Sequence, residues 1–109
     1  MATLSRQQIL NTGTTVTYAS AAGGGDKCLP GDTTWIEVVN GSGSSIDVTV
    51  NSQTPSNYGT DEDLVVAVAA GATDRIGPLP ANRFAASADG LVAWTYSSAT
   101  TITVAAVFI

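Results

Sequence analysis

The stretch at residues 33–51, TTWIEVVNGSGSSIDVTVN, constrains the fold more than any other part of the chain. Two runs rich in β-branched residues, 34–39 and 46–50, flank the turn-forming segment Asn40-Gly41-Ser42-Gly43-Ser44-Ser45. Such runs suit the pleated, half-buried surface of a sheet, and a connection of this length with two glycines reads as a longer hairpin loop. In the second run Ile46, Val48 and Val50 alternate with Asp47 and Thr49, which gives one apolar face and one polar face. In the first, Ile36 and Val38 share one face while Trp35, Glu37 and Val39 share the other. The stretch therefore reads as a hairpin in a β domain.

The remaining segments follow the same pattern. Residues 14–19 alternate Val16 and Tyr18 against Thr15 and Thr17 and read as a first strand. Residues 20–32, with Gly23-Gly24-Gly25, Pro30 and Gly31, read as a loop, and residues 53–63 as a second polar loop. Strands are expected at 64–69, briefly at Arg75-Ile76, at Phe84-Ala85-Ala86, at 91–96 and at 100–109. Gly77-Pro78-Leu79-Pro80 suits an edge or a crossover. Asp89-Gly90 is a hairpin-type turn signal. The last run places Ile102, Val104, Ala106 and Phe108 on one face. Its end is apolar on the other face too, as a central strand or a subunit interface requires, because exposed it would aggregate. The expected fold is all-β: an antiparallel β-sandwich, jelly-roll-like or partly closed into a barrel, of about seven or eight short strands.

The start of the chain differs. Ser5 and Gln8 fit a capping box, Leu4 and Ile9 flank it as a hydrophobic staple, and Gly13 ends the turn. Residues 1–12 thus read as an arm or helical turn, either a lid on the domain's own sheet or an arm that docks on a neighbour, and residues 13–109 as the β-sandwich domain. A chain of 109 residues is sized for one domain that folds without disulfides or metal.

The chemistry-bearing residues are few. There is no histidine, which removes imidazole-based acid–base catalysis and Ser-His-Asp triads. A single cysteine, Cys28, rules out an internal disulfide and multi-thiolate metal sites. Cys28 follows Lys27, which can make a thiol reactive, but it lacks the usual histidine base. It reads as an incidental thiol, with an intermolecular disulfide as the other option. The triple glycine lacks the Gly-Lys-Ser/Thr of a phosphate loop. Asp61-Glu62-Asp63 lacks the ligand spacing of a calcium loop and reads as a solvated turn. No catalytic centre and no cofactor site is expected, so the chain reads as a non-enzyme. Trp35 and Trp94 are either buried strand residues or a carbohydrate-stacking platform.

Charge narrows the partners. The only cations are Arg6, Lys27, Arg75 and Arg83, scattered through a chain of net charge −5, so no basic stripe exists to bind nucleic acid. No apolar run approaches the ~20 residues of a membrane helix, and the first residues carry no signal-peptide pattern, so the chain is expected to be made in the cytoplasm without insertion in a membrane. Charged residues make up only 12%, about half the usual share, as in a subunit that buries its surface in an assembly.

Several motifs resemble a known family. They are Gly24-Gly25-Asp26, the run from Gly31-Asp32-Thr33-Thr34-Trp35 through Asn40-Gly41-Ser42-Gly43, Ala70-Gly71-Ala72-Thr73, Ile76-Gly77-Pro78-Leu79-Pro80, Asp89-Gly90, Tyr96-Ser97 and Thr101-Ile102-Thr103-Val104-Ala105. Ser5-Arg6-Gln7-Gln8-Ile9 and Thr12-Gly13 extend the likeness to nearly the whole chain. Together they resemble the head decoration, or capsid cement, proteins encoded beside the major capsid protein in tailed bacteriophages. The resemblance implies a β-rich virion protein on the capsid surface, made in the host cytoplasm. It also implies binding to the major capsid protein as a homo-oligomer, a dimer or trimer, which stabilises the mature shell. The family has no catalytic motif to carry over. The expected capsid or subunit contacts lie at the two ends of the chain: Leu4, Arg6, Ile9 and Leu10, and Val107, Phe108 and Ile109. The alternative is an adhesive or carbohydrate-binding β-sandwich module of a phage tail or surface structure, which requires an exposed Trp35 or Trp94.

Overall fold

A computed structural model describes residues 2–52, 63–86 and 89–109. Ten strands and one helical turn follow in order: β1 (Ala2–Leu4), β2 (Gln7–Gln8), β3 (Ala19–Ser20), β4 (Asp26–Cys28), β5 (Thr34–Asn40), β6 (Ile46–Val50), β7 (Leu64–Val68), β8 (Thr73–Ile76), α1 (Ala81–Phe84), β9 (Val92–Tyr96) and β10 (Ile102–Phe108). They build two packed five-stranded sheets. Sheet A has the order β1-β4-β9-β6-β7; sheet B has β2-β10-β5-β8, with β3 also on β10. The result is sandwich-like and not a closed barrel.

The alternation read from the sequence sets the inner faces. Ile36, Val38, Val48, Val50, Val92, Trp94 and Val104 are fully buried between the sheets. The pairing differs from expectation. The strands of the opening stretch do not form a hairpin: β5 pairs with β8 and β10 in sheet B, whereas β6 pairs with β7 and β9 in sheet A. Residues 41–45 therefore arch from one sheet to the other. The connections β7–β8 and β9–β10 cross between the sheets in the same way. Asn40 and Gly41 hold these arches side by side. The Asn40 amide N–H donates to Ala72 O at 2.9 Å, Gly71 N–H to Asn40 O at 2.8 Å, and Gly41 N–H to Thr101 O at 3.0 Å. Alternating hydrophobicity specifies which face a residue takes but not which strand it pairs with, and a glycine-rich connection serves an arch as well as a hairpin.

Other expectations are corrected. The sheets are mixed, since β1 runs parallel to β4 and β2 parallel to β10. Ser5 and Gln8 start no helix; β1 joins sheet A and β2 joins sheet B, so the first residues lace the two sheets together. A short helix is marginal alone, and backbone pairing with two waiting strand edges competes successfully. Of residues 14–19 only Ala19 is in a strand, and the loop expected at 20–32 contains β4. Phe84 ends α1 instead of starting a strand, and its ring is 2 % exposed. The polar loop at 53–63 lies outside the described residues except for Asp63, which accepts the Ser52 amide N–H at 2.9 Å.

The last strand is covered on both faces within the chain itself. Ile102, Val104 and Ala106 point into the core, yet Ala105 and Val107 on the opposite face are 2 % and 0 % exposed. The segment before β3 lies over them. The Gln7 side-chain amide donates to Thr17 O and its oxygen accepts Thr17 N–H, both at 2.8 Å. Tyr18, one residue before the Ala19–Val104 pair, reaches past Ala105 to Glu37 on β5.

Candidate functional site

The residues nominated at the chain ends come together, but most are spent on internal packing. Strands β2 and β10 are parallel, with Gln7 opposite Val107 and Gln8 opposite Phe108. Ile9 N–H continues the ladder to Phe108 O at 2.8 Å. Leu4 packs against the core and Val107 is fully buried. The Arg6 guanidinium donates to Thr34 Oγ1 at 2.8 Å and Pro30 O at 3.4 Å, and lies 4.5 Å from the centroid of the Phe108 ring. Ile9 and Phe108 are half-buried. Only Leu10, at 50 %, and Ile109, at 69 %, are strongly exposed.

Beside Ile109 the outer face of sheet B carries an unusual group. Glu37 sits on that outward face yet is only 5 % exposed. Three side chains close over its carboxylate: Tyr18 Oη donates to Oε1 at 2.9 Å, Trp35 Nε1 to Oε2 at 3.3 Å, and Arg75 Nε approaches Oε2 at 3.5 Å. The bond to Glu37 and burial push the Tyr18 phenol above its ordinary pKa. Burying a carboxylate is costly unless it is paired and hydrogen-bonded, and here it is both. One consequence is that the Trp35 indole is pinned. The indole forms one wall of a cleft of about 410 Å³, with Gly77, Pro78, Asp32, Thr33, Arg75 and Ile109 around it. Gly77 is required by close approach: a Cβ there would lie 2.5 Å from Trp35 Cβ. The Gly77-Pro78 peptide is cis.

The two tryptophans thus differ. Trp94 is fully buried and donates from Nε1 to Tyr96 Oη at 2.7 Å; Tyr96 donates in turn to Asp26 Oδ2 at 2.7 Å. Asp26 is 0 % exposed, and this chain ties β4 to β9 inside the sandwich. Burial first, then the bond to Asp26, drives the Tyr96 phenol far above its usual pKa. Alternation alone does not separate the tryptophans, because both sit among apolar neighbours. The signal in the sequence was Glu37, a charge two residues from Trp35 on the same face.

The outer face of sheet A is different in character. The register places Thr95, Thr49 and Val65 in one row across β9, β6 and β7, with Asp47 and Ala67 in the next row. Thr3, Lys27 and Ala93 form a further row on β1, β4 and β9. Val65 is 58 % exposed, and the only charges among these positions are Asp47 and Lys27, the latter paired with Asp89 at 3.0 Å. The bond from Leu91 N–H, with help from Lys27, holds the Asp89 carboxyl below its ordinary pKa.

The remaining candidates are accounted for structurally. Cys28 is buried, and desolvation pushes its thiol up to about 11 despite the nearby Arg6 charge. The glycine run ends in Gly25, which takes φ +97° where an added Cβ would collide with the Trp94 carbonyl oxygen. Asp61 and Glu62 lie outside the described residues. Among the described residues, no group of three histidine, cysteine, aspartate or glutamate side chains is placed to hold a metal ion. No helix among them is long and apolar enough to cross a membrane. Comparison with protein-family models, with characterised proteins and with solved structures finds no match to this chain.

Proposed function

We propose that this protein is a structural component of a tailed-phage virion that binds the outer surface of the capsid and stabilises the mature shell. The observation that carries the reading is the outer face of sheet A, five strands wide and built from Thr3, Thr49, Val65, Ala67, Ala93 and Thr95, with Lys27 and Asp47 as the only charges among its described strand positions. Interface centres are depleted in charge, and a sheet face of small side chains can lie close against another protein surface. The sequence resemblance supports the same reading. Its motif residues Gly25, Asn40, Gly41 and Gly77 occupy positions where the sandwich needs a close approach or a buried amide, so the likeness concerns the scaffold as a whole.

Physically, a protein that binds only the expanded shell stabilises that shell by linkage, and many copies on one lattice add their effects. Binding through sheet A leaves sheet B and its cleft on the side away from the shell. The reading includes a dimer or trimer, which sedimentation equilibrium measures directly.

The test is co-sedimentation with empty mature capsids of tailed phages. The expected result is saturable binding. Thr49→Glu combined with Thr95→Glu, both on the outer face of sheet A, abolishes binding while circular dichroism stays unchanged. Wild-type protein that remains in the supernatant with every shell offered overturns the reading. A double variant that binds as well as wild type removes sheet A as the docking face.

A further inference from the structure

We propose that the cleft beside Trp35 is a binding site for a neutral saccharide. The inference is independent of capsid binding, because it concerns sheet B alone.

A sheet's outward face is where a carboxylate is ordinarily solvated, yet Glu37 is 5 % exposed and fully engaged by Tyr18, Trp35 and Arg75. That arrangement consumes the only polar atom of the Trp35 side chain and fixes the plane of its ring. What the indole then offers to the cleft is an apolar aromatic surface held in one orientation. Gly77 and Pro78 supply the neighbouring wall without polar side chains.

The rim defines the ligand. Asp32 contributes an exposed carboxylate that only accepts hydrogen bonds. Arg75 contributes a guanidinium that only donates, on a side chain that is 69 % exposed. The Thr33 hydroxyl is already committed to Ile109 O at 3.0 Å. A ligand that satisfies both rim groups while stacking on an indole needs groups that donate and accept beside an apolar C–H face. A pyranose ring has this composition: its hydroxyls do both, and its axial C–H bonds present a flat apolar side to the indole. Arg75 is already paired with Glu37, so with Asp32 the rim carries no excess positive charge, and the chain as a whole carries −5; nothing here draws an anionic glycan. The volume, about 410 Å³, falls in the range of small-molecule sites. The cleft is open to solvent, which suits one unit within a longer glycan and weak single-site affinity raised by multiple copies.

The experiment is a glycan array probed with the full chain, followed by NMR titration of ¹⁵N-labelled protein. The titrants are methyl glycosides of glucose, galactose and N-acetylglucosamine, with sialyllactose as the anionic comparison and a proline-rich peptide as the peptide comparison. The expected result is binding of at least one neutral glycoside, with shifts at the Trp35 indole, Arg75 and Gly77 and none at the buried Trp94 indole. Trp35→Ala weakens binding at least tenfold. Asp32→Asn, on an exposed side chain outside the Glu37 cluster, weakens it severalfold with the fold intact and carries the test if Trp35→Ala does not fold; Arg75→Gln also weakens it, with the ion pair to Glu37 removed as well. The proposal is overturned if no neutral glycan binds, if only sialyllactose or the peptide produces these shifts, or if the Asp32 and Arg75 variants bind as well as wild type.

Discussion

The side-chain amide of Asn40 donates to the carbonyl oxygen of Val68 at 3.0 Å, tying the end of a strand in sheet B to the end of a strand in sheet A. The same nitrogen donates to Ser44 O at 2.8 Å, and Oδ1 accepts from Ser42 N–H at 3.0 Å and Ser42 Oγ at 2.6 Å. Asn40 is 0 % exposed and its bond to Val68 O is buried, so water does not readily replace that bond. Asn40→Ala strands the Val68 carbonyl and destabilises the protein by about 2–4 kcal/mol. Asn40→Asp costs at least as much, because a carboxylate oxygen would then face two carbonyl oxygens. Urea denaturation measures both, and a loss under 1 kcal/mol for Asn40→Ala would show that the arches hold without it.

That bond also marks the limit of what the sequence reveals. The faces of β5, β6, β9 and β10 were legible, because period-two alternation reports directly which side chains are buried. The partner of each strand was not, since Asn40-Gly41-Ser42-Gly43 permits both a hairpin and an arch. The N-terminal residues misled in a related way. Ser5 and Gln8 carry a local helix signal, but the open edges of β4 and β10, far away in sequence, supply backbone partners that a single turn of helix cannot match. Of the candidate site, Trp35 was visible as an aromatic on a mixed face. Its partner residues Tyr18 and Arg75 come from segments that no local pattern connects to it.

The glycines are not equivalent. Alanine at Gly77 places a Cβ 2.5 Å from Trp35 Cβ and 3.0 Å from Thr34 O, and neither atom is the tip of a flexible side chain. Gly77→Ala is therefore expected to cost about 1–3 kcal/mol and to disturb the Trp35 cleft. At Gly43 no atom lies within 4 Å of the added Cβ, so Gly43→Ala should fall within about 0.5 kcal/mol of wild type. Thermal melts of the pair test the packing around Trp35 directly. Equal stabilities would contradict it.

Arg6 holds the N-terminal strands to the body of the domain through Thr34, Pro30 and the Phe108 ring. Arg6→Ala removes the hydrogen bonds and the cation–π contact together, for an expected loss of about 1–3 kcal/mol. Arg6→Lys recovers little, since an ammonium lacks the planar fork that stacks on Phe108 while reaching Thr34. Hydrogen exchange gives a local readout. The Ile9 amide, bonded to Phe108 O, exchanges faster in both variants, whereas Val104 in the middle of β10 changes less. Deleting residues 2–11 removes both parallel pairings and should lower stability further. A deletion variant as stable as wild type would mean that these residues serve only to contact another molecule.

The thiol of Cys28 links the core to alkaline stability. Burial raises its folded pKa to about 11, while an unfolded thiol titrates near 9. Below about pH 9 both states keep the proton, and the contribution of the buried thiol to stability is fully present. As pH rises from about 9 to 11 the unfolded chain releases its proton and the folded protein does not, so stability falls, by at most about 1.4 kcal/mol per pH unit. The raised phenols of Tyr18 and Tyr96 act in the same direction from about pH 10 upward, where unfolded tyrosine begins to titrate. Cys28→Ala should therefore be less stable than wild type at pH 7 yet lose less stability between pH 9 and 11, retaining the tyrosine part. Urea midpoints across that range measure the slope. Iodoacetamide at pH 8 gives an independent check: the folded protein reacts slowly and the urea-unfolded chain rapidly. Equal slopes in the two proteins, together with fast alkylation of the folded state, would place the thiol in contact with water.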